Sequence, residues 1–493
     1  MPERKALPTA VPEEVGLSSA AILRYFRRLE EKQLCIHSVL ILRHGKLCAE
    51  CYWKPFNRER QHRMYSTTKS FVSAAIGILA GEGKLRLEDR IADYFPEYVP
   101  ENASPWLREA TIRDLLRMST YLSSTSYWCG CDDWARSFFE KPATHKPGQI
   151  FCYDTSATTT LDILVSRLTG AEFTDYLEPR LFKPLGMSDD IWCVKTGCGH
   201  AWGGSGLQAA PRDLAKFALC IMNGGRSPEG QQLIPEWYVK EATARQIDNT
   251  LANSALEEQQ GYGYQFWQLS GRGFATLGMG SQSAYCYPEQ DLIVVFNGDT
   301  QPKPYALNTE VAAIHDILMP TLSDKPLPAD PEGQDALQRF IRTAEIAPAP
   351  GAKESAMAAC VTGSEYRMSD NPMGIKSLRF DFDGDRVNVR WENETGVHDL
   401  LYGLGRNIVG TFPERGMTLT QIGRAEGREP VCIASAGWVE ERSLYTNVWI
   451  TDVAMGSLRM QFTFEGDTVT MLADKNAEWF LNGYRGFASG TRA

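Results

Sequence analysis

"MYSTTKSFVSAAIGILAGEG", residues 64–83, is the segment around which the rest of the chain can be organised. Its apolar residues recur at helical spacing before glycines end the run, as at Val72, Ile76 and Leu79. Near its start, Ser66 and Lys69 stand three positions apart, so both side chains fall on one helix face, one turn apart. The sequence therefore predicts a helix over residues 66–81 with a hydroxyl and an amine side by side at its first turn.

This pairing of side chains has a chemical meaning. A serine hydroxyl is inert at neutral pH unless a base removes its proton, and a nearby lysine can be that base when burial and the positive helix end favour its neutral form. The same helix end carries backbone N–H groups that stabilise an oxyanion. Ser-x-x-Lys is nevertheless common as a capping serine with a solvated lysine. Ser66 and Lys69 are therefore candidate catalytic residues that need support from elsewhere in the chain.

Two downstream segments supply groups that such a nucleophile needs. "PGQIFCYDTSATTTLDILVSRLTG" (residues 147–170) puts Tyr153 in a short loop before a predicted helix, where its phenol can relay a proton; a core aromatic is the other interpretation. "LGMGSQ" (residues 277–282) is interpreted as part of a strand whose glycines let a substrate approach the backbone, with a glycine-rich bulge as the alternative. Its candidate substrate-binding residues are Gly280, Ser281 and Gln282, and the Ser281 N–H is a candidate oxyanion donor.

The composition limits the kind of partner. The chain has 493 residues, a formal net charge of -10 and 12 cysteines. Because it has no run of basic residues, we expect a small-molecule substrate and neither nucleic acid nor a membrane as partner. The N-terminal segment has no apolar core of a signal peptide, no later segment approaches the ~20 apolar residues of a membrane span, and the cysteines lie mostly in apolar stretches. These features predict a cytoplasmic protein without disulfides.

The hydrophobic pattern changes along the chain. From residue 17 to residue 322, apolar strands lie at both ends with helical patterns between them, which is typical of an α+β arrangement with a mixed sheet built from distant chain ends. A segment rich in Pro, Ala and charge follows, and then two similar hairpins, "LRFDFDGDRVNVRW" and "LRMQFTFEGDTVTML". The prediction is a mixed domain over residues 1–325, a linker over 326–352 and an all-β module, barrel or sandwich, over 353–493.

Several sequence blocks together carry a resemblance to a known family. In chain order they include "YSTTKSFVSAAIGILAGEGKLRLEDRIADYFPE", "TIRDLLRMST", "HKPGQIFCYDTSATTTLDILVSRLTG", "LEPRLFKPLGM", "GGSGLQAAPRDLAKFALCIMNGG" and "YGYQFW". Their order and spacing over residues 11–322 resemble the serine β-lactamase-like hydrolases, which include class C β-lactamases, penicillin-binding DD-peptidases, family VIII carboxylesterases and 6-aminohexanoate-dimer hydrolases. The resemblance implies a β-lactamase/transpeptidase-like fold for the first domain.

The resemblance also implies a role for each candidate residue. Ser66 would be the nucleophile, Lys69 the base that activates it, and Tyr153 the partner base and proton donor to the leaving group. The oxyanion would lie between the Ser66 N–H and the N–H near Ser281. The family has variable substrate-covering segments where "STSYWCGCDDW" lies, and the loop before Gly203 can border the cleft. Aromatic candidates for the cleft are therefore Tyr127, Trp128, Trp134 and Trp202.

Two departures from the family pattern narrow the substrate class. The Tyr-x-Asn element is Tyr153-Asp154-Thr155, so the amide that contacts a penicillin or peptide is missing, and Thr155 becomes the cleft candidate in its place. The third element, Lys/His-x-Gly, becomes Gly278-Met279-Gly280 and lacks a cation to hold a substrate carboxylate. The expected activity is that of a serine hydrolase acting through an acyl-enzyme on small esters or amides.

Other functions stay open at this point. A D-aminopeptidase or another peptidase of the penicillin-binding family also fits, since the family's D-aminopeptidases carry β-barrel modules after the catalytic domain. A catalytically inactive binding or scaffold protein on the hydrolase fold would explain the lost cation. The all-β module could cap the cleft or form a homodimer.

No metal or other cofactor is expected. The cysteines of Cys129-Gly-Cys131 have no second ligand pair, and Cys193, Cys198 and His200 lack a fourth ligand at zinc spacing. Lys195-Thr196-Gly197 spells the family's third element, but it follows Tyr153 too closely and lies in a predicted loop. We interpret it as a look-alike.

Overall fold

The computed structural model describes residues 4–127, 133–252, 255–414, 430–478 and 480–493. The chain divides into two compact units, Met1–Ala344 and Glu345–Ala493. Their boundary lies inside the segment that the sequence predicts to be a linker. None of the helices within the described ranges combines the length and the apolar character needed to cross a membrane.

The first unit combines two antiparallel sheets with helices. Its larger sheet has six strands in the order β2-β1-β9-β8-β7-β6, and a small sheet has the order β3-β5-β4. The strands are β1 (Ile36–Arg43), β2 (Lys46–Tyr52), β3 (His62–Arg63), β4 (Trp192–Cys193), β5 (Leu207–Ala209), β6 (Trp267–Leu269), β7 (Gly273–Thr276), β8 (Ser283–Tyr287) and β9 (Leu292–Gly298). The helices are α1 (Ser19–Glu31), α2 (Thr68–Gly81), α3 (Pro105–Glu109), α4 (Ile112–Leu116), α5 (Trp134–Glu140), α6 (Thr155–Thr169), α7 (Phe173–Leu177), α8 (Pro211–Met222), α9 (Glu236–Ala242), α10 (Ala306–Ala313) and α11 (Pro331–Thr343).

The centre of the large sheet joins segments that are far apart in sequence. Strand β1 pairs with β9, with Val39 opposite Phe296, and every residue of both strands is buried. Helix α8 packs on this sheet, and Phe217 of α8 stacks on Phe71 of α2 with ring centroids 3.9 Å apart. Because all residues of β1 and β9 are buried, both faces of the sheet centre are covered, and this explains the continuous apolar runs in the two strands. The predicted α+β architecture is confirmed.

The predicted linker contains an ordered helix. Helix α11 begins after Asp330, whose carboxylate accepts a hydrogen bond from the Gly333 N–H at 2.9 Å. Its Phe340 stacks on Phe26 of α1, with ring centroids 5.8 Å apart. This apolar contact makes α11 part of the first unit.

The prediction of a strand through residues 277–282 is wrong. Strand β7 ends at Thr276 and β8 begins at Ser283, and a turn joins them. Within this turn Gly280 and Ser281 have φ values of 73° and 68°, which an extended strand does not allow. We call residues 277–282 the third-element turn.

The second unit is a β-barrel preceded by helix α12 (Ala356–Val361). Among its described residues, nine strands close in the order β13-β12-β11-β10-β19-β18-β17-β16-β15, because β15 also pairs with β13, and β14 adds to β15 from outside. The strands are β10 (Glu365–Met368), β11 (Ser377–Asp383), β12 (Arg386–Asn393), β13 (Gly396–Leu404), β14 (Ile408–Thr411), β15 (Val431–Glu440), β16 (Ser443–Thr451), β17 (Met455–Glu465), β18 (Thr468–Ala477) and β19 (Gly486–Arg492). Closure leaves a barrel rather than a sandwich.

The two similar hairpins form as the sequence predicts. Strands β11 and β12 pair around a turn at Gly384, and β17 and β18 pair around a turn at Gly466. Both glycines have a φ of 56°, a left-handed value that residues with a Cβ adopt reluctantly. The acidic-Gly-Asp pattern is therefore a reliable local signal for these turns.

Candidate active site

Ser66 and Lys69 are joined by a hydrogen bond at the start of α2. A 3-10 turn, Tyr65–Thr67, carries Ser66 and leads into the helix. The Lys69 Nζ donates to the Ser66 Oγ at 3.0 Å and to the Gly204 carbonyl oxygen at 2.6 Å. Only 1% of Lys69 is exposed, whereas Ser66 is half-buried. The lysine is thus held next to the hydroxyl, out of water, as a general base for a serine nucleophile must be.

Tyr153 completes the group of polar side chains around Ser66. Its ring centroid is 5.0 Å from the Lys69 Nζ, and it stacks on Trp267 with centroids 5.5 Å apart. Burial raises the pKa of the Tyr153 phenol, and a hydrogen bond with the Ser66 side chain opposes that rise. The phenol is therefore neutral at physiological pH and can donate a proton in the cleft.

A pair of glycines supplies the second partner of Lys69. A Cβ on Gly204 would lie 2.5 Å from Thr155 Cγ2, and one on Gly203 would lie 2.5 Å from Asp162 Cβ. The Gly203 N–H donates to Asp162 Oδ2 at 3.0 Å, and burial raises the pKa of this carboxyl. The role of Gly204 was not predicted from the sequence, although two adjacent glycines indicate a place where the backbone approaches other groups closely.

The third-element turn lies directly against the segment that precedes Ser66. A Cβ on Gly278 would be 2.3 Å from the Met64 carbonyl oxygen, so only glycine fits there. The Ser281 N–H donates to the Gly278 carbonyl oxygen at 3.1 Å. The turn itself therefore uses the N–H that the sequence predicts as an oxyanion donor.

Gln282 points into the protein rather than into the cleft. It is fully buried, its Nε2 donates to the Gly298 carbonyl oxygen at 2.6 Å, and its Oε1 accepts from Asn297 Nδ2 at 3.0 Å. The Thr67 Oγ1 donates to the Gln282 carbonyl oxygen at 2.6 Å. Gln282 therefore ties the third-element turn to the residue that follows Ser66.

A cavity of about 520 Å³ opens over Ser66. The described residues that line it are Ser66, Tyr153, Ala255, Glu258, Trp267, Leu277, Gly278, Met279, Gly280, Ser281, Ser283, Tyr285, Thr300, Gln301, Lys303, Pro304, Ala306 and Leu307. Its volume suits a small molecule. The structure thus brings Ser66, Tyr153, Gly280 and Ser281 together. Glu258 lies in a segment without a motif and was not predicted, and Trp267 and Leu277 were not predicted as lining residues although they lie in the quoted segments "YGYQFW" and "LGMGSQ".

The aromatic cleft candidates form a cluster of their own. Tyr127 stacks on Trp134 with centroids 4.0 Å apart, and the Trp202 Nε1 donates to the Tyr127 hydroxyl at 3.0 Å. Trp134 and Trp202 are buried, and the guanidinium of Arg63 lies 4.7 Å from the Trp202 ring. Neither these three aromatics nor Thr155 belongs to the described lining of the cavity. Trp128 lies outside the described residues.

Within the described part of the chain, no group of His, Cys, Asp and Glu side chains is arranged to hold a metal ion. Cys193 is buried and Cys198 is exposed, and Cys129 and Cys131 lie outside the described residues. The look-alike Lys195-Thr196-Gly197 lies in a loop, where the Lys195 side chain forms an ion pair with Glu172. It takes no part in the lining of the cavity.

Comparison with known proteins adds the family context. Residues 26–316 match the family model described as Beta-lactamase. A relative, the 6-aminohexanoate-dimer hydrolase of Paenarthrobacter ureafaciens, is 23% identical over 290 residues, which cover 55% of this chain and 73% of the relative. A solved Bacillus anthracis protein, named as a candidate 6-aminohexanoate-dimer hydrolase, matches with a TM-score of 0.52 and 19% identity over 66% of this chain and 90% of that one. A penicillin-binding protein homologue from Caulobacter crescentus matches with a TM-score of 0.50 and 16% identity over 64% and 100% of the two chains.

Proposed function

Because the chain belongs to the β-lactamase family of hydrolases, we propose that it is a serine hydrolase that cleaves small esters or amides through an acyl-enzyme on Ser66. The observation that carries this proposal is the 3.0 Å hydrogen bond from the Lys69 Nζ to the Ser66 Oγ in a buried setting beside Tyr153. Lys69 and Tyr153 both form hydrogen bonds with the Ser66 hydroxyl, and Ser66 lines a cavity. A binding or scaffold protein would not require this arrangement. An inactive scaffold is therefore the weaker alternative.

The reaction begins when the Ser66 Oγ attacks the substrate carbonyl carbon and its proton moves to Lys69. The tetrahedral intermediate then collapses as Tyr153 donates a proton to the leaving group. Acylation leaves Lys69 protonated and Tyr153 as a phenolate. In deacylation the Tyr153 phenolate takes a proton from the water that attacks the ester of Ser66, and Lys69 returns its proton to the Ser66 Oγ as the ester bond breaks. The raised pKa of Tyr153 suits it to the donor step, because the phenol stays protonated until negative charge develops on the leaving group.

The oxyanion is held by the N–H groups of Ser66 and Met279 in this proposal. Gly278 contacts the Met64 backbone, which fixes the next residue of the turn near the start of α2. Met279 lines the same cavity as Ser66, while the N–H two residues later, at Ser281, is already bonded within the turn. Two backbone donors near the reacting carbonyl are the usual means of stabilising the charge of this intermediate.

The absence of a basic side chain from the third-element turn bears on the substrate class. Residues 277–282 carry no basic side chain, so a substrate carboxylate finds no cation in the third element. A penicillin carboxylate would therefore lack its usual partner in this turn, and a cation is offered instead by Lys303, elsewhere in the described lining of the cavity. A cytoplasmic location and a homodimer stay predictions from the sequence.

A fluorophosphonate probe tests the nucleophile directly. We expect it to phosphonylate Ser66 of the folded protein, with the label located by peptide mass spectrometry. A panel of nitrophenyl esters, D-aminoacyl anilides and a chromogenic cephalosporin then identifies the substrate class by the member that is turned over. Labelling at any residue other than Ser66, or none at all, would refute the proposal.

Glu258 favours a second candidate function, the hydrolysis of substrates with a free amine, as in a D-aminopeptidase. It lies on the 3-10 turn Leu256–Gln259, half-buried in the cavity wall, and its charge raises the pKa of Tyr153. Burial raises the pKa of Glu258 itself, and within the described ranges its carboxylate shows no ion pair. A substrate ammonium group would compensate this charge.

Replacing Glu258 by Gln tests the second candidate. For a D-aminoacyl anilide we expect kcat/KM to fall by about 10- to 100-fold, because the ammonium loses its counter-charge, while the N-acetylated anilide changes by less than about threefold. Glu236→Gln, at an exposed site on α9, is the matched control and should leave both rates unchanged. An equal loss for both substrates would mean that Glu258 supports the loop, and would contradict recognition of an amine.

A further inference from the structure

Glu310 of α10 lies directly behind the third-element turn. It is fully buried, and its two oxygens accept hydrogen bonds from the Ser281 Oγ at 2.7 Å and from the Tyr285 hydroxyl at 2.5 Å. The Ser281 Oγ also lies 2.6 Å from the Thr300 Oγ1. Because Ser281 has one hydroxyl proton, the arrangement that satisfies all groups has Thr300 donating to Ser281 and Ser281 donating to Glu310.

The backbone of the turn explains why such support is needed. Gly280 and Ser281 both have left-handed φ values, 73° and 68°, and serine pays a steric cost there that glycine does not. The Gly280 carbonyl oxygen accepts from the Thr300 N–H at 3.3 Å. The Ser281 conformation is therefore held by side-chain bonds to Glu310 and Thr300 rather than by its own preference.

The conformation of this turn determines where the Met279 N–H points. Met279, Ser281, Tyr285 and Thr300 all line the cavity above Ser66, whereas Glu310 does not. We propose that Glu310 is a positioning residue, which acts through Ser281 to hold the third-element turn in the conformation that presents the Met279 N–H to the oxyanion. This inference rests on the proposed function, since it needs Ser66 to be the nucleophile.

The burial of the Glu310 carboxyl group allows a positioning role to be distinguished from a purely structural one, because the two roles predict different effects of Glu310→Gln on the melting temperature. Burial raises the pKa of Glu310 from 4.5 to about 7, although the bonds from Tyr285 and Ser281 oppose the rise. The other titratable group facing it is Tyr25 of α1, whose hydroxyl is also buried. A raised carboxyl pKa favours the folded state below pH 4.5, and this contribution is lost as the pH rises through about 7. At pH 8 Glu310 therefore costs stability, and its replacement by Gln relieves that cost.

The experiment compares wild type, Glu310→Gln, Ser281→Ala and the double variant at pH 8. The readouts are the rate constant for phosphonylation of Ser66 by the fluorophosphonate probe, kcat and KM for a nitrophenyl ester, and the melting temperature. We expect each single variant to lower the phosphonylation rate constant and kcat by about 10- to 100-fold with KM little changed. The double variant should be no slower than the slower single variant, because both act through one hydrogen bond. Glu310→Gln should melt no lower than wild type.

A control variant and the contrary outcomes make the test decisive. Tyr25→Phe alters the buried region next to Glu310 without touching the turn or the cavity, and should keep kcat within about threefold. Wild-type rates in Glu310→Gln, or multiplied losses in the double variant, would overturn the role of Glu310. If Glu310→Gln folds poorly, Ser281→Ala alone must still lose rate, and its failure to do so also overturns the role. Failure of the wild type itself to label at Ser66 would instead remove the proposed function and this inference with it.

Discussion

Ser66→Ala should lower kcat/KM for any ester or amide that the protein hydrolyses by about 10⁴-fold or more, because no acyl-enzyme can form without the hydroxyl. The fold should survive the change. Ser66 is half-buried, and Lys69 keeps its hydrogen bond to the Gly204 carbonyl oxygen. Steady-state kinetics on the same substrate, with a melting curve for each protein, measure both effects.

The control for this variant is a neighbouring hydroxyl with a different role. Thr67→Ser keeps the Oγ that donates to the Gln282 carbonyl oxygen and should change the rate by less than about threefold. Undiminished turnover by Ser66→Ala would show that another residue performs the reaction. The serine hydrolase assignment would then be wrong.

Lys69→Met should lower kcat/KM by about 10³- to 10⁴-fold, because methionine keeps much of the side-chain length but cannot accept the serine proton. The variant also loses the bonds from Nζ to Ser66 and to Gly204. We expect little loss of stability, since removal of a buried ionisable group relieves its desolvation. Kinetics and thermal melting again separate the two effects.

Lys84→Met is the matched control for this second variant. Lys84 lies just beyond the end of α2 and pairs with Glu82 at 2.8 Å on the surface, so its loss should change the rate by less than about twofold. Should Lys69→Met retain more than about a tenth of the wild-type rate, Lys69 would be a supporting residue and Tyr153 would have to be the principal base.

Much of the fold was predictable because its signals are local. The helical spacing in residues 66–81 predicted α2, although its first turn is 3-10. The two acidic-Gly-Asp turns gave the hairpins of the barrel. Each of these features depends on residues within a few positions of one another, where backbone geometry leaves few alternatives.

The third-element turn was not predictable in the same way. Its glycines and apolar residues fit a strand equally well, and what selects the turn is contact with distant groups. Gly278 meets the Met64 carbonyl oxygen, and Ser281 is held by Glu310. A pattern along the chain records neither contact, so it does not show that the turn itself uses the Ser281 N–H.

The sequence by itself determined that Ser66 and Lys69 share one face of a helix, since a spacing of three fixes their relation wherever that helix lies. Only the tertiary structure decided which groups meet them there. Tyr153, Gly204 and the third-element turn come from three separate segments, and packing of the sheet and helices brings them within reach of the same hydroxyl. The reason is physical: local geometry follows from bonded neighbours, whereas a contact between distant segments depends on how the whole core packs.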